Sequence, residues 1–155
     1  MAKANMKILF FAPHAAIWVH AFPEALVAQS LATLGHEIIY VTCGEALQDQ
    51  CVAMKAFGHD YESSLAERKA VCHRCKGNAD LLRNKIGLRG YEIANELLPE
   101  ERLEIDRLVS NVVDTGSLDL QLDGVPVGRY ALYELILDRK KSDIQLNAQD
   151  WLAYR

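Results

Sequence analysis

The sequence predicts an α/β fold, and the main reason is a pair of apolar, strand-forming segments separated by one helical segment. The first of these, 6–12, is rich in Ile, Leu and Phe and stops at Pro13. The second, 37–42, combines Ile, Tyr, Val and Thr, and no hairpin signal lies between the two segments. A strand–helix–strand order of this kind predicts a βαβ unit whose two strands run parallel.

A proline and a glycine delimit the helix of this unit. Pro23 suits the first turn of a helix, and Gly35 is the residue expected just after its last turn. Between them, apolar residues recur with helical spacing at Leu26, Val27, Leu31 and Leu34. The segment 13–20 is therefore predicted to be a loop at the carboxyl end of the first strand.

A second helical region follows the two strands. Ser64 and Glu67 have the spacing of a capping box, which predicts a helix start at this point. We expect Gly77-Asn78 to end that helix just after the cysteines it carries. A short helix near 80–86 is expected next, ended by Gly87.

The remainder of the chain is predicted to be rich in helices. Pro99 opens the clearest amphipathic pattern of the sequence, with apolar positions Ile105, Leu108, Val109, Val112 and Val113. Further helices are expected near 91–97, 129–139 and 144–154, with a turn-rich loop at 123–128. Only two strands are recognised, so the sheet is expected to be incomplete within this chain.

Composition predicts one globular domain over 1–155, because half of the residues are apolar and a quarter are charged. The net charge of −4 argues against a nucleic-acid partner. The longest apolar runs are too short for a transmembrane segment, and no secretory signal is recognised, which predicts a cytoplasmic protein. Pro13-His-Ala-Ala replaces the glycine-rich loop that dinucleotides require, so neither NAD nor flavin is expected.

All four cysteines occur in one segment, 43–76, which we interpret as a cysteine-rich insert. Cys43, Cys51, Cys72 and Cys75 would suit a tetrahedral zinc ion or an iron–sulfur cluster as a set of four thiolate ligands. Only the last two have the tight Cys-x-x-Cys spacing. Buried free thiols, structural disulfides and a redox-active pair stay open as alternatives.

Two histidines precede the predicted helix of the βαβ unit. His14 and His20 fall in the segment that follows the first strand, and parallel α/β sheets bind ligands outside the carboxyl ends of their strands. An imidazole at such a site can act as a catalytic general base. The alternative is that each histidine only packs against, or caps, the start of the helix.

Several motifs together resemble a known family. The segments 7–14 and 34–42, read as Lys-Ile-Leu-Phe-Phe-Ala-Pro-His and Leu-Gly-His-Glu-Ile-Ile-Tyr-Val-Thr, resemble the opening of GT-B-fold glycosyltransferases. The later motifs are similar to the N-terminal region of glycosyltransferase-like proteins of bacterial capsule and lipopolysaccharide biosynthesis. These later motifs are Cys43-Gly44, Cys51, Cys72-x-x-Cys75 and 123–128.

The resemblance implies a Rossmann-like, three-layer N-terminal portion with few parallel strands and a helix-rich second half. Such a lobe holds the acceptor, here a sugar or a lipid-linked glycan, while a second lobe binds the sugar nucleotide. Carried over to this sequence, His14 and His20 would be catalytic, and Pro13 and Trp18 would contact the acceptor. The protein would then work in polysaccharide biosynthesis at the cytoplasmic face of the membrane.

The chain departs from this family because Arg155 comes before any sugar-nucleotide-binding lobe. We therefore expect an N-terminal portion that is inactive alone and needs a C-terminal lobe or self-association, which leaves its standing as an enzyme open. The alternative function is a non-catalytic binding or assembly module organised by a four-cysteine metal site. A small redox or metal-handling protein is a third hypothesis.

Overall fold

The computed structural model describes residues 5–48, 51–60, 62–115, 118–140 and Asp150. The chain divides into two compact units, Met1–Leu97 and Leu98–Arg155, and each is described by itself. The expectation of one domain over the whole chain stays a prediction. Among the described residues, no helix combines the length and the apolarity needed to cross a membrane.

The first unit begins with the βαβ arrangement that the sequence predicts. Strand β1 spans Lys7–Phe11, helix α1 spans Trp18–Thr33 and strand β2 spans Glu37–Val41. The strands pair in parallel, from Lys7 opposite Glu37 to Phe11 opposite Val41. The mixed α/β class and the parallel pairing are thus confirmed, whereas a complete Rossmann-like, three-layer fold stays a prediction.

Helix α1 starts earlier than the sequence indicates. Its first turn forms when the backbone N–H groups of His20 and Ala21 donate to the carbonyl of Ile17, at 3.0 and 3.1 Å. His20 therefore lies in the helix and not in a loop, and Pro23 lies inside the helix. Pro23 sits on the exposed side, where water can satisfy the carbonyl that its missing N–H leaves without a partner.

The edge of β2 that does not face β1 is covered by an extended segment, 89–92. The amide of Tyr40 donates to the carbonyl of Arg89, and the amide of Thr42 donates to the carbonyl of Tyr91, both at 2.9 Å. These bonds follow the pattern of a parallel ladder. The segment therefore protects one edge of the two-stranded sheet.

A glycine makes this close approach feasible. A Cβ atom placed on Gly90 would lie 2.0 Å from the carbonyl oxygen of Tyr40. No side chain fits in that space, so only glycine permits the backbone to lie against β2 at this point.

Helices α2, α3 and α4 span Val52–Ala56, Leu65–Ile86 and Ile93–Glu96. The predicted capping box at the start of α3 is confirmed by hydrogen bonds in both directions between Ser64 and Glu67. The predicted end at Gly77-Asn78 is wrong, because α3 continues to Gly87, which has a φ of 75°. Asn78 is held by a 2.8 Å hydrogen bond from its side-chain amide to the carbonyl of Ala15.

Two apolar clusters hold the first unit together. In the larger one, Tyr40 and Leu82 are fully buried between the sheet, α1 and α3. Helix α1 contributes a face of small residues, Ala21, Ala25 and Ala28, which lets it approach closely. The smaller cluster joins α2 to α3 and consists of Ala16, Ala53, Met54, Val71 and Cys72.

The second unit contains helices α5, Pro99–Thr115, and α6, Val127–Arg139. Pro99 opens α5 as the sequence predicts, and a turn closed by hydrogen bonds between Leu122 and Val125 precedes α6. The helix expected near 144–154 lies outside the described residues, apart from Asp150.

Candidate thiol site

A small cavity of about 20 Å³, open to solvent on one side, lies at the carboxyl ends of β1 and β2. Its walls come from the segment after β1, the segment after β2, the start of α2 and one face of α3. Glu92, from the segment along β2, completes the lining. The parallel arrangement of β1 and β2 brings these walls together, because both strands deliver their following segments to the same edge.

All four cysteines line this pocket. Cys43 follows β2 after one residue, Cys51 lies at the N-cap of α2, and Cys72 and Cys75 lie one turn apart on α3. Cys43 and Cys72 are buried, the other two are half-buried, and all four are free thiols. The structure thus brings together residues that lie up to 32 positions apart in the sequence.

Each of three sulfur atoms has a polar neighbour. The amide of Leu47 donates to Cys43 Sγ at 3.3 Å, and the thiol of Cys75 donates to the carbonyl of Pro13 at 3.6 Å. Cys51 Sγ lies 3.9 Å from Nδ1 of His14. The sulfurs are therefore surrounded by backbone groups and one imidazole, while alanine and other apolar side chains form much of the remaining wall.

The turn after Cys43 has an unusual backbone. Gly44 and Glu45 both have positive φ, 61° and 75°, and the second of these is uncommon for a residue with a side chain. This conformation reverses the chain so that the amide of Leu47 reaches the sulfur of Cys43. Such an outlier at a pocket motivates a functional hypothesis for the turn.

Burial and negative charge act on the thiols of α3. Burial raises the pKa of Cys72 to about 11, and the charges of Glu45 and of the other three cysteines add to this effect. Burial also raises the pKa of Cys75, with a smaller contribution from the charges of Cys43 and Cys51. A redox-active Cys-x-x-Cys needs a depressed thiol pKa at a helix start, and this pair has neither.

Arg83 ties the pocket to the rest of the unit. Its guanidinium donates to the Glu92 carboxylate at 2.9 Å, to the Thr42 hydroxyl at 2.7 Å and to the Tyr91 carbonyl at 3.1 Å. The contact links α3 to the end of β2 and to a residue of the pocket wall. The sequence offered no signal for it, since Arg83 and Glu92 are separated by a helix end and a turn.

Of the residues proposed to handle an acceptor, two lie at the pocket. Pro13 is part of its lining, and His14 is half-buried beside Cys51, where burial lowers the pKa of its imidazole. His20 is exposed on α1 and is not part of the lining. Trp18 stacks on Phe22 with ring centroids 5.3 Å apart and is not part of the lining either.

Within the part of the chain that the structure describes, no three Cys, His, Asp or Glu side chains form a ready-made metal-ion site. No protein-family model matches the sequence, and no curated protein or solved structure matches it either. The resemblance to GT-B glycosyltransferases stays a prediction. The site is therefore interpreted from its own geometry.

Proposed function

We propose that the protein is a metal-binding α/β module in which four thiolates hold a soft metal centre, zinc or iron. The observation that carries this proposal is that Cys43, Cys51, Cys72 and Cys75 all line one pocket. Thiolates are the ligands that zinc and iron–sulfur clusters select. Such a centre would join β2, α2 and α3 and make the module a binding or assembly unit rather than a catalyst.

Electrostatics supports a cation among these groups. If the four cysteines around this pocket were ionised, their charges would repel one another, and Glu45 would add a further negative charge beside Cys72. A bound cation would offset this repulsion and release the thiol protons to solvent. The amide that donates to Cys43 Sγ is the kind of outer contact that orients a metal ligand.

Metal analysis of anaerobically purified protein tests the proposal. We expect one metal centre per chain, and we expect a strong chelator to lower the melting temperature, because the binding energy is also folding energy. Hydrogen exchange should show that chelation opens the segment 43–76. Cys72→Ser should lose the metal, whereas the control Met54→Leu changes a buried pocket residue that carries no thiol. The proposal would be contradicted if the purified protein contains no metal and the chelator does not change its melting temperature.

A second candidate function is the acceptor-side portion of a GT-B glycosyltransferase-like protein of surface polysaccharide biosynthesis. The position of the pocket favours it, since α/β proteins bind ligands at the carboxyl ends of parallel strands. His14 lies beside this pocket, where an imidazole could take a proton from an acceptor hydroxyl. The acceptor would be a sugar or a lipid-linked glycan at the cytoplasmic face of the membrane, and transfer would need a C-terminal lobe or self-association.

Binding of glycans provides the test of this second function. Titration of the metal-loaded protein with lipid-linked and free oligosaccharides, followed by NMR, should shift resonances around Pro13 and His14. His14→Ala should abolish the shifts, whereas His20→Ala changes an exposed histidine of α1 and should leave them intact. Equal effects of the two substitutions, or no shifts with any glycan, would exclude it.

A further inference from the structure

We infer that the outer face of α1 is the contact surface through which two copies of this chain form a dimer. The inference goes beyond the proposed function and does not depend on the thiol pocket. Three features of α1 carry it: large apolar side chains on the outer face, the absence of charge from that face, and polar side chains there that are already hydrogen-bonded within the helix.

The first feature is that α1 is apolar on both sides. Its inner side packs on the sheet and α3 through three small, buried alanines. The outer side carries the larger residues Trp18, Val19, Phe22 and Leu26, which are all exposed, Val19 by 75%. A surface helix normally turns polar residues outward, whereas a helix that is apolar all round is covered on every side. The outer face of α1 is therefore expected to have a partner.

These four residues form one stripe along the helix. Val19, Phe22 and Leu26 lie at i, i+3 and i+7, the spacing with which one helix packs along another. Trp18 stacks on Phe22 with ring centroids 5.3 Å apart, so the two rings form one continuous apolar surface. Phe22 is in the middle of the stripe, so two antiparallel copies of α1 would place it next to its own equivalent.

The second feature is the absence of charge from the stripe. Glu24 is the only charged residue of α1, and it is half-buried near Tyr40, whose pKa is raised by burial and, to a smaller extent, by the Glu24 carboxylate. A two-fold axis brings residues close to their own copies, so a charged residue at the axis would meet a like charge. A face without charge avoids this repulsion and fits a second copy of itself.

Other classes of partner fit the face less well. Nucleic acids and lipid surfaces are bound mainly through Lys and Arg, and α1 contains neither. The helix has 16 residues, which is too short to span a bilayer. An identical uncharged face is therefore the partner that the chemistry of α1 favours.

The third feature is that the hydroxyl groups of this face already have partners. Ser30 and Thr33 continue the stripe at i+11 and i+14 from Val19. Their hydroxyls donate to carbonyls of their own helix, Ser30 to Leu26 at 2.8 Å and Thr33 to Gln29 at 3.0 Å. Hydroxyls bonded in this way can be buried against a second copy without leaving a donor unpaired.

The size of the face sets the expected strength of the dimer. The four apolar side chains and the polar residues beside them offer on the order of 500 Å² per copy, so a dimer would bury about 1,000 Å² in total. This area is close to the minimum for a specific protein–protein interface, and such small interfaces are weak. We therefore expect a dimer that dissociates at micromolar concentration.

The experiment is sedimentation equilibrium of the full chain at concentrations from roughly 1 to 500 µM. We expect the average mass to rise from that of a monomer towards that of a dimer. Phe22→Lys places like charges next to each other in the dimer and should keep the protein monomeric at every concentration. The matched control is Val27→Lys, because Val27 is an exposed apolar residue of α1 that lies off the stripe, and it should leave the dimer intact.

Two further variants separate loss of the contact from loss of the fold. Val19→Lys changes the most exposed position of the stripe without altering the aromatic stack, and it should also be monomeric. Circular dichroism and melting curves should show that each variant is folded. Phe22→Glu should be monomeric alone, whereas an equimolar mixture with Phe22→Lys should recover dimers, because opposite charges then meet at the two-fold axis.

Four outcomes would overturn the inference. The first is a wild-type chain that stays monomeric over the whole concentration range, and the second is a dimer that survives both Phe22→Lys and Val19→Lys. The third is a mixture of the two Phe22 variants that stays monomeric. The fourth is a monomer that sediments with phosphatidylcholine vesicles, which would assign the face to a lipid surface. None of these outcomes bears on the metal-binding function, which is tested by metal analysis.

Discussion

Helices α3 and α5 differ in burial in the opposite sense to what their sequence patterns predict. In the sequence, α5 has the cleanest amphipathic pattern of the chain, whereas glycine and charged residues interrupt the pattern of α3. In the structure, the only buried residue among those described in α5 is Val112, and Leu103 is 71% exposed. Helix α3 instead buries four residues along its length, Val71, Cys72, Ala79 and Leu82.

The difference shows what periodicity measures. A helical pattern identifies the face that would be buried, but burial itself requires a partner surface. Helix α3 has such partners in α2, which directly precedes it, and in the sheet and α1, which come from more distant segments of the sequence. The helix with the weaker pattern therefore carries both the core and the thiol site. Four experiments test this comparison, from the largest expected effect to the smallest.

A substitution at the close contact between Gly90 and the backbone of Tyr40 should have the largest effect on stability. Gly90→Ala places a Cβ 2.0 Å from the carbonyl of Tyr40, so the segment along β2 must move away. We expect a loss of about 3 kcal/mol or more in the free energy of unfolding, measured by urea denaturation. The control is Gly77→Ala inside α3, where nothing lies within 4 Å; it should stabilise by about 0.5–1 kcal/mol. If Gly90→Ala and Gly77→Ala change the free energy of unfolding by similar amounts, the close contact at Gly90 is contradicted.

Two leucines compare the helices directly. Leu82 of α3 is 0% exposed and Leu103 of α5 is 71% exposed. Leu82→Ala leaves a cavity between α3 and the sheet and should cost about 3 kcal/mol in the free energy of unfolding. Leu103→Ala should change it by less than about 0.5 kcal/mol. If the two losses are equal, α5 packs more tightly than described and the comparison fails.

Two arginines repeat the comparison for ion pairs. Arg83 of α3 reaches Glu92 at 2.9 Å with both side chains largely buried, while Arg107 of α5 reaches Glu104 at 2.7 Å on the surface. Arg83→Ala should cost about 2 kcal/mol, because it removes the cation beside the largely buried Glu92 carboxylate and the donor to the Thr42 hydroxyl. Arg107→Ala should leave the melting temperature unchanged, because exposed pairs contribute little. A larger fall in melting temperature for Arg107→Ala than for Arg83→Ala would contradict this interpretation.

The smallest expected effect is on the pH dependence of stability, at the capping box that starts α3. Hydrogen bonds with Ser64 lower the pKa of the exposed Glu67 carboxyl at the start of α3. A lowered pKa means that its stabilisation is present above the ordinary carboxyl pKa and is lost as the pH falls through the folded-state value. Glu67→Gln should therefore melt slightly below wild type at pH 7, and the difference should shrink under acid. If the difference in melting temperature between Glu67→Gln and wild type grows as the pH falls, the stabilising role of the ionised Glu67 in the capping box is contradicted.

Local signals predicted those parts of the fold that depend on a few neighbouring residues. The capping box of Ser64 and Glu67, the helix start at Pro99 and the stop at Gly35 each rest on such contacts. The predicted start of α1 and the predicted end of α3 were wrong. At Gly77-Asn78 a glycine and an asparagine locally favour a helix end, but packing and the bond from Asn78 to Ala15 keep the helix intact.

The candidate site was predictable as a set of residues but not as an arrangement. The cysteines were recognised because thiols have few roles in a chain of this composition, and Pro13 and His14 because they follow a strand. Arg83, Glu92 and the positive φ of Glu45 were missed, since each depends on a contact or a conformation with no fixed sequence spacing. His20 and Trp18 were assigned to a loop, whereas both lie in α1.

The sequence by itself determined the α/β class, the parallel direction of β1 and β2 and the identity of the thiols, because these follow from local patterns and side-chain chemistry. The tertiary structure decided which faces are buried, that Gly90 lies against Tyr40 and that four separated cysteines line one pocket. Contacts between distant segments depend on how whole elements pack. No short stretch of sequence encodes that packing, and so only the folded chain reveals it.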